Sequence, residues 1–191
     1  MKNIYLTSDT HFNHSNIIEY CPQSRSHFSS VEEMNETIIT NWNRIISPDD
    51  TVYHLGDFCM GKTQDIVPLV SRLNGKITLL RGNHDHSKRR KEYEKCGIII
   101  KDIDYISYKG KYFILSHIPI GNPECMSHLI GENAEIWNLH GHTHQYDYFS
   151  ATPNTFHVGV DSNNMKPITL DRVWELINSN EEFSVDELPW N

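Results

Sequence analysis

Five short polar motifs in this sequence each stand directly after a run of apolar, β-prone residues, and that placement constrains the fold more than any other feature. The runs are Ile4-Tyr5-Leu6, Thr51-Val52-Tyr53-His54-Leu55, Ile77-Thr78-Leu79-Leu80, Tyr112-Phe113-Ile114-Leu115 and Ile136-Trp137-Asn138-Leu139. The motifs are Asp9-Thr10-His11, Gly56-Asp57, Gly82-Asn83-His84-Asp85, the lone His117 and Gly141-His142-Thr143-His144. Short runs rich in Ile, Leu, Val and aromatics read as buried strands. Open α/β sheets carry their ligand sites beyond the carboxyl ends of the strands. Segments that all end in His, Asp or Asn therefore describe one pocket at one rim.

The residue types name its contents. Aspartate, asparagine and histidine supply hard oxygen and borderline nitrogen donors, and no cysteine stands among them, which suits Mn, Fe, Zn or Ni better than a thiolate-bound structural metal. In an extended segment residues i and i+2 share a side, so Asp9 with His11, and His142 with His144, are each expected to present two ligands to one volume. Gly56, Gly82 and Gly141 precede ligand residues, where the backbone must turn sharply and pass close to a metal or phosphate. Taken singly, a lone Asp-x-His or Gly-Asp arises often by chance, and His117 alone would sooner be a satisfied core histidine. Gly-Asn-His-Asp and Gly-His-Thr-His are rarer, and the ordered conjunction of all five motifs is what points to a catalytic metal site.

This ordered set, running from Tyr5 to His144, resembles the signature of the calcineurin-like metallophosphoesterase superfamily. The resemblance implies an α/β fold with two mixed β-sheets in a sandwich flanked by helices, in four layers, α-β-β-α. It also implies two divalent metal ions, Asp9, His11, Asp57 and His144 holding one and Asp57, Asn83, His117 and His142 the other, with Asp57 bridging and His84 as the catalytic acid. The chemistry of the residues agrees. Two divalent ions outweigh the charge of Asp9, Asp57 and a bridging hydroxide, and the neutral Asn83 carbonyl keeps the core positive, so the core favours a phosphate oxyanion. Such pairs sit about 3.5–4 Å apart, lower the pKa of the bridging water and clamp both oxygens of an in-line displacement. His84 is needed by neither metal shell. It stabilises the transferring phosphoryl group or protonates the leaving oxygen, its tautomer set by Asp85 or a nearby carbonyl, although Asp85 more often serves the fold.

Other histidines carry weaker arguments. His14, three residues past His11, either touches substrate phosphate, as Asn83 and His84 would, or is a polar loop residue. His54, within a strand, and His140, at the end of one, suit hydrogen bonding behind the ligands or core packing. His27, His86, His128 and His157 have no spacing argument. Protein serine/threonine phosphatases of the superfamily place an acid and an arginine where Gly56-Asp57-Phe58-Cys59-Met60-Gly61 has Met60 and Gly61. The chain instead looks like the compact bacterial or phage-type phosphoesterases. The expected activity is hydrolysis of a small phosphate ester, a phosphodiester or nucleotide first, with phosphomonoesterase or nucleotide pyrophosphatase activity as the alternative and manganese as the expected metal. A non-catalytic scaffold of the same fold is the rival from another class, and retention of every ligand and of His84 argues against it.

The 191 residues suit a single domain spanning 1–191, with an acidic segment, 178–191, as a loosely packed tail. Met1-Lys2-Asn3 runs straight into the first strand, and no apolar stretch approaches the ~20 residues of a membrane span, so the chain reads as soluble and cytoplasmic. Cys21, Cys59, Cys96 and Cys125 lack C-x-x-C spacing and read as free thiols. A net charge of −8 opposes a non-specific grip on nucleic acid. Lys88-Arg89-Arg90-Lys91 is a local exception, read as a solvated helix face or as a contact to an anionic substrate. Ser29 and Ser30 ahead of Glu32 and Glu33 form overlapping capping boxes, and Val31, Met34, Ile38, Trp42 and Ile45 recur at helical spacing, predicting a helix over 30–46. A second helix is expected over 65–73, with Pro68 in its first turn. Further strands are expected at 98–100, 103–108, 155–160 and 168–170. Neither the natural substrate nor the oligomeric state is encoded in these motifs.

Overall fold

The computed structural model describes residues 2–131 and 134–179. Two mixed sheets stack face to face. The first orders its strands β4-β3-β2-β1-β9, where β1 is Ile4–Thr7, β2 Thr51–His54, β3 Lys76–Leu80, β4 Ile99–Lys101 and β9 Ile168–Thr169. β1 to β4 run parallel and β9 antiparallel to them. The second orders β5-β6-β7-β8, with β5 Asp104–Tyr108, β6 Lys111–Leu115, β7 Ile136–His140 and β8 Thr155–His157; only the β5/β6 pair is antiparallel. Every strand run expected from composition is present within a residue or two, except that 155–160 ends at His157 and 168–170 shrinks to two residues.

Side chains alternate across the first sheet as the pleat requires. Leu6, Leu55 and Leu80 meet Phe113, Leu115, Leu139 and Phe156 between the sheets. Tyr5, Val52, Ile77 and Leu79 pack on the outer face under three helices, α3 (Val31–Ile45), α4 (Ile66–Val70) and α5 (Ser87–Lys95). Each fully buried side chain of this kind contributes about 1.5–3 kcal/mol of transfer free energy. Two short helices, α1 (Ile17–Tyr20) and α2 (Pro22–Arg25), follow β1, and a short helix α6 (Ser127–Ile130) precedes β7.

α3 starts where the capping signal places it, with the Ser30 hydroxyl accepting from Glu33 N at 3.2 Å. The return contact is displaced by one residue, since Glu33 Oε2 accepts from Ser29 N at 2.8 Å and from the Ser29 hydroxyl. The helix expected over 65–73 is shorter. Beyond Val70 the chain tightens, Arg72 N and Leu73 N bonding carbonyls three residues back on the way to Gly75. The strand expected to include Leu170 gives way to a helix, α7 (Leu170–Asn178), because the Thr169 hydroxyl accepts from Arg172 N at 3.1 Å and caps it. α7 adds Leu170, Val173 and Leu176 to the core between the sheets. The acidic segment expected from Asn178 onward lies, past Ser179, outside the described residues. The four cysteines carry no disulfide. Among the described residues no helix is long and apolar enough to cross a membrane.

Candidate metal centre

Parallel pairing in register brings the ends of β1, β2 and β3 level, and β6 and β7 end beside them, so the five motifs share one rim. Backbone hydrogen bonds then lock the loops together: Asp9 N to Gly56 O and His11 N to Asp57 O at 3.0 Å, and Gly141 N to His117 O at 3.0 Å. Asp9 Oδ2 accepts from His142 N at 2.9 Å, and Asp57 Oδ1 from His84 N at 2.9 Å. Each carboxylate thus spends one oxygen on a neighbouring loop and keeps the other for the pocket.

The ligand pairs are not extended as i, i+2 alternation assumes. Asp9, His11, Asp57, His142 and His144 all have positive φ, between 45° and 69°. Left-handed non-glycine residues each cost of order 1–3 kcal/mol and cluster at functional sites, where the surrounding structure over-determines them. The tight turns send His142 toward Asn83, Nδ1 to Oδ1 2.9 Å, and His144 toward Asp9, Nε2 to Oδ1 3.8 Å. Two glycines make room by lacking a side chain: a Cβ on Gly82 would overlap the Asp57 carboxylate, and one on Gly141 would overlap Ser8 and Asp9.

Two donor sets result. Ligand atoms of Asp9, His11 and His144 lie within 4.8 Å of one another, and so do those of Asp9, Asp57 and His117. Asp57 Oδ2 is the hub, 3.6 Å from His11 Nε2, 3.4 Å from His117 Nε2 and 4.0 Å from His84 Nε2. His117 Nε2 also lies 2.8 Å from Asn83 Oδ1, while its Nδ1 donates to Leu55 O. Asp9 Oδ1 and His11 Nε2 are buried without a hydrogen-bond partner. Buried orphans of that kind are costly unless something fills the space between them, and a divalent cation is what oxygen and imidazole donors at this spacing fit.

The electrostatics agree. Burial pushes the Asp9 carboxyl up. Burial acts the same way on Asp57, but the hydrogen bond and charge of His117 and the His84 amide hold it well below the usual carboxylate range. Burial, then the charges of His144 and Arg25, drop His11 to about 2. Burial works against protonation of His144 too, yet Asp161, Cys21 and Asp9 lift it to about 10.

Several residues of the site carry no motif. Asp161, in the single-turn helix 160–162 after β8, accepts from His144 Nδ1 at 2.8 Å. Its carboxylate is gripped by the fully buried Arg25, Nε to Oδ1 2.7 Å and Nη2 to Oδ2 2.8 Å, while Arg25 Nη2 also donates to Asp9 O at 2.7 Å. Asp161 follows a strand as the other acids do, so strand-end logic had a signal for it; Arg25 had none. His157, without a spacing argument, is buried with Nε2 4.0 Å from Asp9 Oδ2. Arg89 leaves the expected solvated face of α5: it donates to His84 O at 2.9 Å and Met60 O at 2.9 Å, tying the two loops together, whereas Lys88, Arg90 and Lys91 are exposed. Asp85 serves the fold, accepting from Asp57 N at 2.7 Å and Gly82 N at 3.0 Å. His54 packs under the site with Nε2 2.9 Å from the Thr10 hydroxyl, and His140 is buried with Nδ1 on Gly141 O. His14 sits at the mouth, its Nδ1 3.1 Å from His11 Nδ1.

A model of the calcineurin-like phosphoesterase superfamily domain matches residues 1–159. The chain belongs to the calcineurin-like phosphoesterase superfamily. This calcineurin-like chain is 40% identical over 184 residues to an uncharacterized protein of Methanocaldococcus jannaschii, covering 93% of this chain and 92% of that one. It is 26% identical over 207 residues to the gene 66 protein of Mycobacterium phage L5, with 93% and 95% covered. A solved structure of a protein of unknown function from Aquifex aeolicus, 29% identical, superposes with a TM-score of 0.75 over 92% of this chain and 100% of that one. The calcineurin-like superfamily acts on phosphoesters with divalent metals, and the clustered Asp and His donors of this member suit that chemistry.

Proposed function

We propose that this phosphoesterase is dinuclear and hydrolyses a small phosphate ester, a phosphodiester or nucleotide, with manganese as its working metal and the cytoplasm as its setting. Asp9, His11, Asp57 and His144 hold one ion, and Asp57, Asn83, His117 and His142 the other. The observation that carries this reading is the position of the Asp57 carboxylate between His11 and His117, within 3.6 Å of both, with Asp9 Oδ1 and His11 Nε2 buried and unpaired beside it. When bound, the ions supply Lewis acidity toward the phosphoryl oxygens and an acidified water.

The remaining work falls to the chain. His144 is oriented by Asp161 and His117 by the Leu55 carbonyl, so each turns Nε2 to the pocket. His84 Nε2 faces Asp57 Oδ2 at 4.0 Å and its side chain is 40% exposed, which sets it beside a phosphate at the site's mouth as the group that protonates the leaving oxygen. His11, ligating through Nε2, keeps its proton on Nδ1 and donates to His14 Nδ1; neutral His14 then carries its own proton on Nε2, a donor for a phosphate oxygen. A metal-supplemented screen across monoesters, diesters, cyclic nucleotides and dinucleotides tests the reading. Manganese-dependent turnover of a diester or nucleotide is the expected result. No turnover of any phosphate ester with any divalent metal overturns it.

A further inference from the structure

We propose that Tyr20 is a stacking platform for the base of a nucleoside ester carrying a single phosphate, an inference that rests on the phosphoesterase reading above and names its substrate class. Within the helical turn after the first motif, Ile17 is buried and Ile18 and Cys21 pack against the core. Tyr20 is left 67% exposed, although nothing in its backbone prevents it from packing: it ends α1, with Tyr20 N bonded to Asn16 O at 3.0 Å. The turn is held rigidly. Asn13 N donates to Asn35 Oδ1 at 3.1 Å, and Asn35 Nδ2 donates back to Asn13 Oδ1 at 2.6 Å, pinning the loop to α3.

The exposed ring is joined to the candidate metal centre by successive ring contacts through His14. The His14 ring lies 6.5 Å from the His84 ring and 6.1 Å from the Tyr20 ring, which meets it edge-on at 74°. A phosphate beside His84 would extend its ester substituent past His14 and onto Tyr20. Every nucleobase has a flat face that stacks on an aromatic ring, whereas an alkyl ester gains little there.

The cations decide how many phosphates fit. Arg25 is spent on Asp161 and Asp9 O, and Arg89 on the carbonyls of His84, Met60 and Gly61. Neither bordering arginine is free to clamp a second phosphoryl group. With both arginines engaged, the exposed Tyr20 ring is the feature beside the site that would add affinity beyond the metal-bound phosphate, which favours a nucleoside monoester or diester over a pyrophosphate.

Calorimetric titration of the manganese-loaded protein with adenosine 5′-monophosphate, and separately with inorganic phosphate, tests this. Wild type is expected to bind the nucleotide more tightly than phosphate. Tyr20→Ala is expected to weaken the nucleotide about tenfold, within the range of base–aromatic stacking. It should leave inorganic phosphate unchanged, which also shows that the fold and metals are intact, and Tyr20→Phe should bind like wild type. Equal affinity of wild type for the two anions, or a Tyr20→Ala variant that holds the nucleotide as tightly as wild type, overturns the platform while leaving the phosphoesterase reading intact. Binding of neither anion removes the phosphoesterase reading and the platform with it.

Discussion

At the scale of single residues, the site divides its carboxylates by their second oxygen. Asp57 holds the His84 amide with Oδ1 and faces three imidazoles with Oδ2. Asp57→Asn should leave fewer than two ions per chain by metal analysis and abolish turnover, whereas His11→Ala should chiefly empty one site. Two tightly held ions in Asp57→Asn would rule out a bridging role. Asp161 is buried and accepts from His144 Nδ1 at 2.8 Å, the place of a partner behind a proposed ligand. Replacing such an outer partner commonly costs 10–100-fold in metal affinity, so Asp161→Asn should weaken one of the two manganese sites by about that factor while the second titrates as in wild type. For His84, leaving-group basicity is the discriminating variable. His84→Ala should lose about 10²–10⁴ in rate on a nucleoside diester and far less on a nitrophenyl ester, with both metals bound. Equal losses would make His84 a stabiliser of the phosphoryl group instead of an acid.

At the scale of elements, β2 buries a histidine that lies outside the proposed ligand set. His54 is fully buried against Trp42 and Phe58, and burial holds it down to about 3, far below an unfolded histidine near 6.5. A histidine kept neutral in the fold binds its proton only on unfolding, so its contribution is complete above pH 6.5 and is lost as pH falls toward 3. The melting temperature of chelator-treated protein should therefore drop across that window, and His54→Asn should flatten the drop. An unchanged slope in the variant would show that other groups dominate. The loop after β3 offers a steric test. Gly82→Ala pushes a methyl group into the Asp57 carboxylate, and the expected outcome is loss of bound metal with the far-ultraviolet circular dichroism of the sheets preserved.

At the scale of the whole molecule, two sheets, one of β1 to β4 with β9 added and the other of β5 to β8, bring the candidate ligands to a common rim, so metal and fold should stabilise one another. Ligands that bind only the native state raise its stability by mass action. Manganese should raise the melting temperature in proportion to the logarithm of its concentration. EDTA should abolish hydrolysis, and manganese should restore it better than magnesium, which binds imidazole poorly. Full activity after exhaustive chelation would remove the metal mechanism altogether.

Ligand identities and strand runs are local properties: apolar runs of β-branched and aromatic residues, each closed by a glycine or a donor residue, are legible one segment at a time. The residues at the ends of the five runs therefore came directly from sequence, as did α3 with its Ser30 cap. What orients the ligands is non-local. Arg25 and Asp161 stand 136 positions apart and meet only because α2 packs against the turn after β8. Arg89 looked like one of four solvated cations until α5 docked against the Met60 loop. The positive φ of Asp9, His11, Asp57, His142 and His144 replaces the extended geometry that alternation predicts, since left-handed turns in non-glycine residues are unfavourable alone and persist only under tertiary constraint. Sequence determined which donor atoms stand at the strand ends; the buried ion pair, the loop-to-loop hydrogen bonds and the strained turns decided where those atoms point.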